Sequence, residues 1–418
     1  MTDQPDQLAR RLGTGDAVVI GLGAMIGAGV FAAPGPAAAA AGSWLLLGLA
    51  LAAIVAYANA TSSAQLAALY PESGGTYVYA RERLGGYWGF LAGWSFVVGK
   101  TASLSAMALT FGAYLSPDLA RPIGIGAVVA MTVVNYLGVR KTAWLTRIIV
   151  AIVLAALAVV VAAPLLGGAA SLDRLDATLP HGPLGVLQSA GLLFFAFAGY
   201  ARLATLGEEV RDPHTTIPRA IPIALGLVVT IYAIVLGSAL LSVGPTVLAE
   251  SPAPLVAAVE ASPWPGLAPA IQAGAAVAAL GVLLSLLAGI SRTTLAMARR
   301  RELPRILDAV HPRFRTPHIA ELTAGTLVCI IVIFADLRGA IGFSSFAVLT
   351  YYALANASAW TLTGTERRWP RWLAALGVVM CVVLAVTLPL VAVIGGAVLL
   401  AVGSLAWAAT HRLRRPSA

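Results

Sequence analysis

The chain has 418 residues, of which 59% are hydrophobic and only 11% are charged, with a formal net charge of +9. Soluble domains carry about 25% charged residues, so a mean hydropathy of +0.87 excludes a soluble enzyme or a soluble nucleic-acid-binding protein. The composition indicates an all-α integral membrane protein, in which the basic residues follow membrane topology.

Twelve apolar segments, each of about 20 residues and long enough to cross a bilayer as a helix, follow one another along the chain. The least distinct boundary lies between the last two, which Thr387 and Pro389 separate. The predicted spans lie near residues 15–41, 43–68, 88–115, 122–139, 146–167, 184–207, 217–243, 267–297, 318–335, 340–361, 371–388 and 389–410. Residues 1–14 and 411–418 are then the two ends outside the bilayer.

The Lys and Arg residues are distributed asymmetrically about these spans. With the N-terminus placed inside, 21 of the 27 fall in inside segments and 3 in outside segments. A bias of this kind sets the orientation of helical membrane proteins. We therefore expect a multi-pass protein of the cell membrane with both termini in the cytoplasm.

Helix-breaking residues are concentrated in the first span, in the stretch Gly21–Gly35. Inside a helix, Gly costs about 1 kcal/mol and Pro about 3 kcal/mol relative to Ala. Unpaired backbone groups in hydrocarbon are costly, so unwound backbone at this depth has to face protein, water or a ligand. Exposed N–H groups at the start of a half-helix suit a carboxylate. The predicted donors are the N–H groups of Ile26, Gly27, Ala28 and Gly29.

The sixth span contains a similar break around Gly199, five spans after the first. Interrupted helices at corresponding positions of two repeated halves indicate a secondary transporter built from inverted repeats; a glycine that only aids packing is the alternative for Gly199 alone. Free carbonyl groups near the break suit an ammonium group, and the neighbouring Phe residues are candidates for an aromatic lid. The predicted site residues here are Phe195, Phe197, Ala198, Gly199 and Tyr200.

Four groups of motifs occur in order along the chain. They are Gly21–Gly35; Tyr70–Tyr79 with Gly89–Trp94; Phe195–Tyr200 with Glu208–Pro213 and Ile217–Arg219; and Ser291–Arg292 with Ala296–Arg299, Leu303–Pro304 and Val310–Pro317. Together they resemble the signatures of the amino acid-polyamine-organocation (APC) superfamily, over about residues 12–360.

The resemblance implies the leucine-transporter fold, with 12 transmembrane helices, a 5+5 inverted repeat and discontinuous helices 1 and 6. On this plan residues 15–167 form the first repeat, residues 184–361 the second, and residues 371–410 the last two helices. It also implies amino acids or related amines as substrates, carried by alternating access. Some proton-coupled relatives have a Lys in the fifth span, where this chain has Val153.

Lys100 lies about twelve residues into the third span, which is about 18 Å along a helix and near the bilayer midplane. An ionisable residue at this depth is a functional candidate: Lys100 carries a coupled proton, pairs with an acidic substrate, or has a structural role.

Arg202 and Ser285 are the other polar candidates within the spans. Arg202 either lines the substrate pathway or reaches the cytoplasmic edge. Ser285 either contributes to an ion or proton site or bonds within its own helix. No acidic residue lies deep in the predicted spans, Glu321 being the nearest. Two buried cations therefore favour a neutral or acidic substrate over a cationic one.

We expect a permease for L-amino acids that is driven by protons as a symporter. An exchanger or exporter is the alternative within transport, and a non-transporting membrane sensor is weaker because only about fifteen residues precede the first span. The five His residues fall in loops or at helix ends, so no catalytic residue, metal site or cofactor is expected. The expected partners are an amino acid, protons and lipid, but no nucleic acid. The particular amino acid, the direction of transport and the oligomeric state stay open.

Overall fold

The computed structural model describes residues 13–70, 74–138, 143–176, 178–200, 203 and 210–412. Within these ranges the chain is helical and contains no β-strand. Its α-helices are α1 (Thr14–Met25), α2 (Gly29–Ala32), α3 (Pro34–Ala41), α4 (Leu45–Leu69), α5 (Thr76–Leu84), α6 (Gly86–Leu115), α7 (Ala120–Tyr136), α8 (Ala143–Leu166), α9 (Gly182–Phe197), α10 (Pro213–Glu250), α11 (Pro254–Glu260), α12 (Ala268–Arg299), α13 (His318–Phe334), α14 (Leu337–Trp360), α15 (Arg371–Thr387) and α16 (Leu390–Arg412).

Ten helical stretches in the described ranges are long and apolar enough to cross a membrane. Two more apolar helices, α13 and α15, have 17 residues each, which is the short end of the range for a spanning helix. The prediction of an all-helical, multi-pass membrane protein is confirmed at this level. The count of twelve spans stays a prediction.

Some predicted boundaries differ from the observed helices. The short helices α5 and α11 lie between predicted spans, while α10 has 38 residues and a kink at Gly244, directly after the predicted span 217–243. The sixth span was predicted to reach residue 207, but α9 ends at Phe197. Most of residues 201–209 lie outside the described part of the chain.

The long helix α6 runs through the middle of the helix packing and contacts α5, α7, α12, α13 and α14. Small residues let it approach α14 closely: a Cβ on Gly99 would lie 2.6 Å from the Cβ of Ala347. One turn further on, the hydroxyl oxygens of Ser103 and Ser344 lie 2.6 Å apart. These contacts fix the position of Lys100 relative to α14.

Gly112, near the end of α6, tests this close packing. A Cβ at this position would overlap the carbonyl oxygen of Ala120 in α7, and a backbone atom cannot turn away as a side chain can. We expect Gly112→Ala to lower the thermal unfolding temperature of the protein in detergent, with an overpacking cost of about 1–3 kcal/mol.

The control is Gly126→Ala in α7, where nothing lies within 4 Å of the added carbon. Ala is the better helix former by about 1 kcal/mol, so this variant should unfold at the wild-type temperature or above it. Equal unfolding temperatures for the two variants would contradict the contact between Gly112 and Ala120.

Candidate functional site

The first predicted break is present between the end of α1 at Met25 and the start of α2 at Gly29. The N–H groups of the buried residues Gly27, Ala28 and Gly29 donate to no acceptor among the described residues. Ile26 differs from the sequence expectation, because its N–H donates to the Leu22 carbonyl oxygen at 2.6 Å and closes the last turn of α1. Since buried N–H groups rarely stay unpaired, Gly27 and Ala28 can receive a ligand oxygen.

The second break touches the first. After α9 the chain makes one 3₁₀ turn, Ala198–Tyr200, and a Cβ on Gly199 in this turn would overlap the Ala24 carbonyl oxygen. In the other direction, a Cβ on Gly29 would lie 2.8 Å from the Cα of Ala196. The two interrupted helices are therefore in direct backbone contact, and the absence of a side chain at both glycines permits it.

Three buried tyrosines donate hydrogen bonds to carbonyl oxygens at or beside the breaks. They are Tyr232 of α10 to Met25 at 2.6 Å, Tyr352 of α14 to Ala198 at 3.3 Å, and Tyr114 of α6 to Phe31 at 2.9 Å. Sequence reasoning missed them. The signal for them was present, because a buried Tyr hydroxyl needs a partner and the end of a helix leaves carbonyl groups unpaired.

Lys100 reaches the second break. Its side chain is buried, with the residue only 6% exposed, and its Nζ lies 3.5 Å from the carbonyl oxygen of Ala198, at the long end of a hydrogen bond. The same oxygen accepts the hydroxyl of Tyr352. Lys100 forms no ion pair within the described part of the chain. The ammonium group of Lys100 thus contacts the carbonyl group that was predicted to bind the ammonium group of a ligand.

The aromatic residues of the sixth span pack around the same turn. Phe195 and Phe197 are both buried, and the ring centroid of Phe197 lies 5.2 Å from that of Tyr232. Tyr200 stacks obliquely on Tyr352 at 4.9 Å. These contacts are packing interactions that connect the turn to α10 and α14.

Ser285 lies close to the first break along α12. Its hydroxyl donates to the Gly281 carbonyl oxygen at 2.7 Å. This bond matches the second of the two roles predicted for Ser285, a hydrogen bond within its own helix. One turn before it, Val282 packs against Gly27, where an added Cβ would overlap the valine side chain. The other charged candidate, Arg202, lies outside the described residues.

Two carboxylates outside the middle of the spans, those of Glu321 and Glu302, are buried. Glu321, in the first turn of α13, is 3% exposed and has the Ser291 hydroxyl 3.4 Å from its Oε1, so the acidic residue nearest to the spans is buried among the helices. Glu302, after α12, accepts a hydrogen bond from Tyr77 at 2.7 Å and pairs with Arg81. Burial and then the Glu302 carboxylate raise the pKa of the Tyr77 hydroxyl, which keeps it a donor.

Comparison with known proteins gives a family model, described as amino acid permease, that matches residues 12–411. An uncharacterised transporter of Mycobacterium tuberculosis is 60% identical over 99% of this chain and 94% of its own length. The branched-chain amino acid permease BcaP of Bacillus subtilis is 26% identical over 88% of this chain and 84% of its own. The chloroplastic cationic amino acid transporter 7 of Arabidopsis thaliana is 27% identical over 87% of this chain and 68% of its own.

A variant of Tyr232 measures how much its hydrogen bond to the Met25 carbonyl oxygen stabilises the first break. In Tyr232→Phe the Met25 carbonyl oxygen loses the hydroxyl that now donates to it, and a buried acceptor left unpaired costs about 1–3 kcal/mol. We expect a lower thermal unfolding temperature in detergent. Tyr57→Phe is the control, since Tyr57 is 42% exposed, and it should unfold with the wild type. A Tyr232→Phe protein as stable as the control would show that this hydrogen bond does not stabilise the break.

Proposed function

Since the chain belongs to the amino acid permease family, we propose that it is a secondary active transporter that carries L-amino acids across the cell membrane by alternating access. The proposed architecture is the leucine-transporter fold, with twelve spans, two inverted repeats of five and both termini in the cytoplasm. The ten long apolar helices and the two of 17 residues support this count. Each proposed repeat begins with an interrupted helix.

The observation that carries the proposal is that unpaired backbone N–H groups at the first break lie beside a backbone carbonyl group at the second break. The N–H groups of Gly27 and Ala28 provide donors for a carboxylate, and Ala198 in the opposing turn provides a carbonyl for an ammonium group. Backbone contact at Gly199 holds the two breaks together. A site of this kind binds the head group that all amino acids share and leaves their side chains to the surrounding helices.

The way this site is built supports the proposal of alternating access. Gly199 and Gly29 make the contact between the interrupted helices without side chains between them, so a ligand that bridges the breaks acts on both helices at once. A ligand shifts a conformational equilibrium only by its difference in affinity for the two states. In the proposed cycle, the bound head group stabilises one arrangement of the two interrupted helices more than the other.

The charge of the site favours neutral or acidic amino acids. Lys100 brings an ammonium group to the second break, and within the described part of the chain no carboxylate pairs with it. A cationic side chain would add another positive charge in a low dielectric, where the repulsion between like charges is strong. We propose that Lys100 also couples transport to protons. An exchanger or exporter of neutral amino acids uses the same site.

Transport into proteoliposomes tests this proposal. With a panel of labelled neutral, acidic and cationic amino acids and imposed pH or sodium gradients, we expect neutral or acidic amino acids to move in response to the pH gradient. No movement of any amino acid would overturn the proposed function. Transport of cationic amino acids alone would overturn the charge argument, and a requirement for sodium would overturn proton coupling.

A pair of glycine variants connects transport to the site. Gly199→Ala places a carbon on the Ala24 carbonyl oxygen and should abolish amino acid binding. Gly226→Ala in α10 has nothing within 4 Å of the new carbon and should bind as the wild type does. Full binding by Gly199→Ala would place the substrate elsewhere.

A further inference from the structure

The ammonium group of Lys100 occupies the place that the proposed function gives to the ammonium group of the substrate. Its Nζ lies 3.5 Å from the Ala198 carbonyl oxygen, and Tyr352 already donates to the same oxygen at 3.3 Å. A carbonyl oxygen has two lone pairs, so these two donors fill it. A third donor, from the substrate, has to displace one of them.

We infer that the proton on Lys100 and the amino acid compete for the carrier, which makes the protein a proton/amino acid antiporter. This inference rests on the proposed function, and it reverses the symport expected from the sequence. In the empty carrier the charged Lys100 donates to Ala198. When the amino acid binds, its ammonium group donates there instead, and Lys100 gives its proton to water on the side to which the site is open.

The charge balance of the two states explains why the proton leaves. Two ammonium groups that share one carbonyl oxygen in a buried site repel each other strongly, because the low dielectric hardly screens them. Lys is a side chain that loses its proton readily when it is buried. The empty site then holds one positive charge on Lys100, and the loaded site holds a zwitterion beside a neutral amine.

The surrounding ionisable groups do not replace Lys100 in this role. On helices packed against α6, the buried ionisable side chains in the described ranges include Tyr77 and Tyr79 of α5, Glu321 of α13, and Tyr351 and Tyr352 of α14, while Cys329 of α13 is half-buried and Arg292 of α12 is exposed. None of them forms an ion pair with Lys100 in the described part of the chain. Tyr352 shares the acceptor but is a neutral donor at neutral pH.

Binding affinity as a function of pH tests the sign of the coupling. The empty carrier holds one more proton than the loaded carrier, so the affinity for a neutral amino acid should rise with pH, by up to about tenfold per pH unit. The measurement is isothermal titration of the purified full-length protein with the best-bound neutral amino acid from the panel, at several pH values and in buffers of different ionisation enthalpy. These buffers should report release of up to one proton per amino acid bound.

Three variants distinguish the effect of the Lys100 proton on binding from the effect of the hydrogen bonds to the Ala198 carbonyl oxygen. Lys100→Met has no proton to release and should bind with an affinity that no longer depends on pH. Lys100→Arg stays charged throughout and should bind weakly at every pH. Tyr352→Phe removes the other donor to Ala198 without removing the titrating group, so it should keep the wild-type pH slope even if its affinity changes.

Transport provides the second readout. In proteoliposomes loaded with the amino acid, an acidic exterior should accelerate efflux, and an interior-negative potential should do the same because one proton enters for each zwitterion that leaves. Acid outside that instead drives uptake, an affinity that falls or stays constant with rising pH, or an unchanged pH slope in Lys100→Met would overturn the antiport inference while leaving amino acid transport intact. Absence of binding in the wild type would overturn the proposed function itself.

Discussion

The need to pair backbone polar groups in a low-dielectric interior governs this structure. Interrupting a helix inside the bilayer frees N–H and C=O groups that have no water to bind, and other helices supply some of the missing partners. Tyr232 and Tyr114 provide hydroxyl donors for carbonyls of the first interrupted helix, and Tyr352 does so for the second. Among the described residues, the N–H groups of Gly27, Ala28 and Gly29 stay without an acceptor, and we propose that a ligand pairs with them.

The sequence predicted the features that depend on local chemistry. Gly and Pro lower helix propensity wherever they occur. The break after Met25 and the break at Ala198–Tyr200 could therefore each be predicted from one short stretch of sequence. The end of a helix is less sharply determined, because one more turn can close beyond the last favourable residue. This is why Ile26, predicted as a free donor, instead bonds to Leu22.

The partners of the breaks were not predictable because they depend on contacts between distant segments. Tyr232 is 207 residues from Met25, and Lys100 is 98 residues from Ala198. Counting residues along α6 gives the depth of Lys100, but the rotation of a helix that is apolar on every side cannot be read from its pattern. The burial of Glu321 was not predictable for the same reason, since it depends on how α13 packs.

On the antiport proposal, Lys100 and Tyr352 together let one carbonyl group serve two states. A permanently charged donor at Ala198 would exclude the substrate's ammonium group, whereas Tyr352 alone would leave one of the two lone pairs of the oxygen without a donor whenever the site is unoccupied. A lysine satisfies the oxygen in the empty carrier and, once neutral, allows the substrate to take its place. Tyr352 donates in both states, so the carbonyl never loses all its partners. In this arrangement Lys100 stands in for the amino group of an absent substrate.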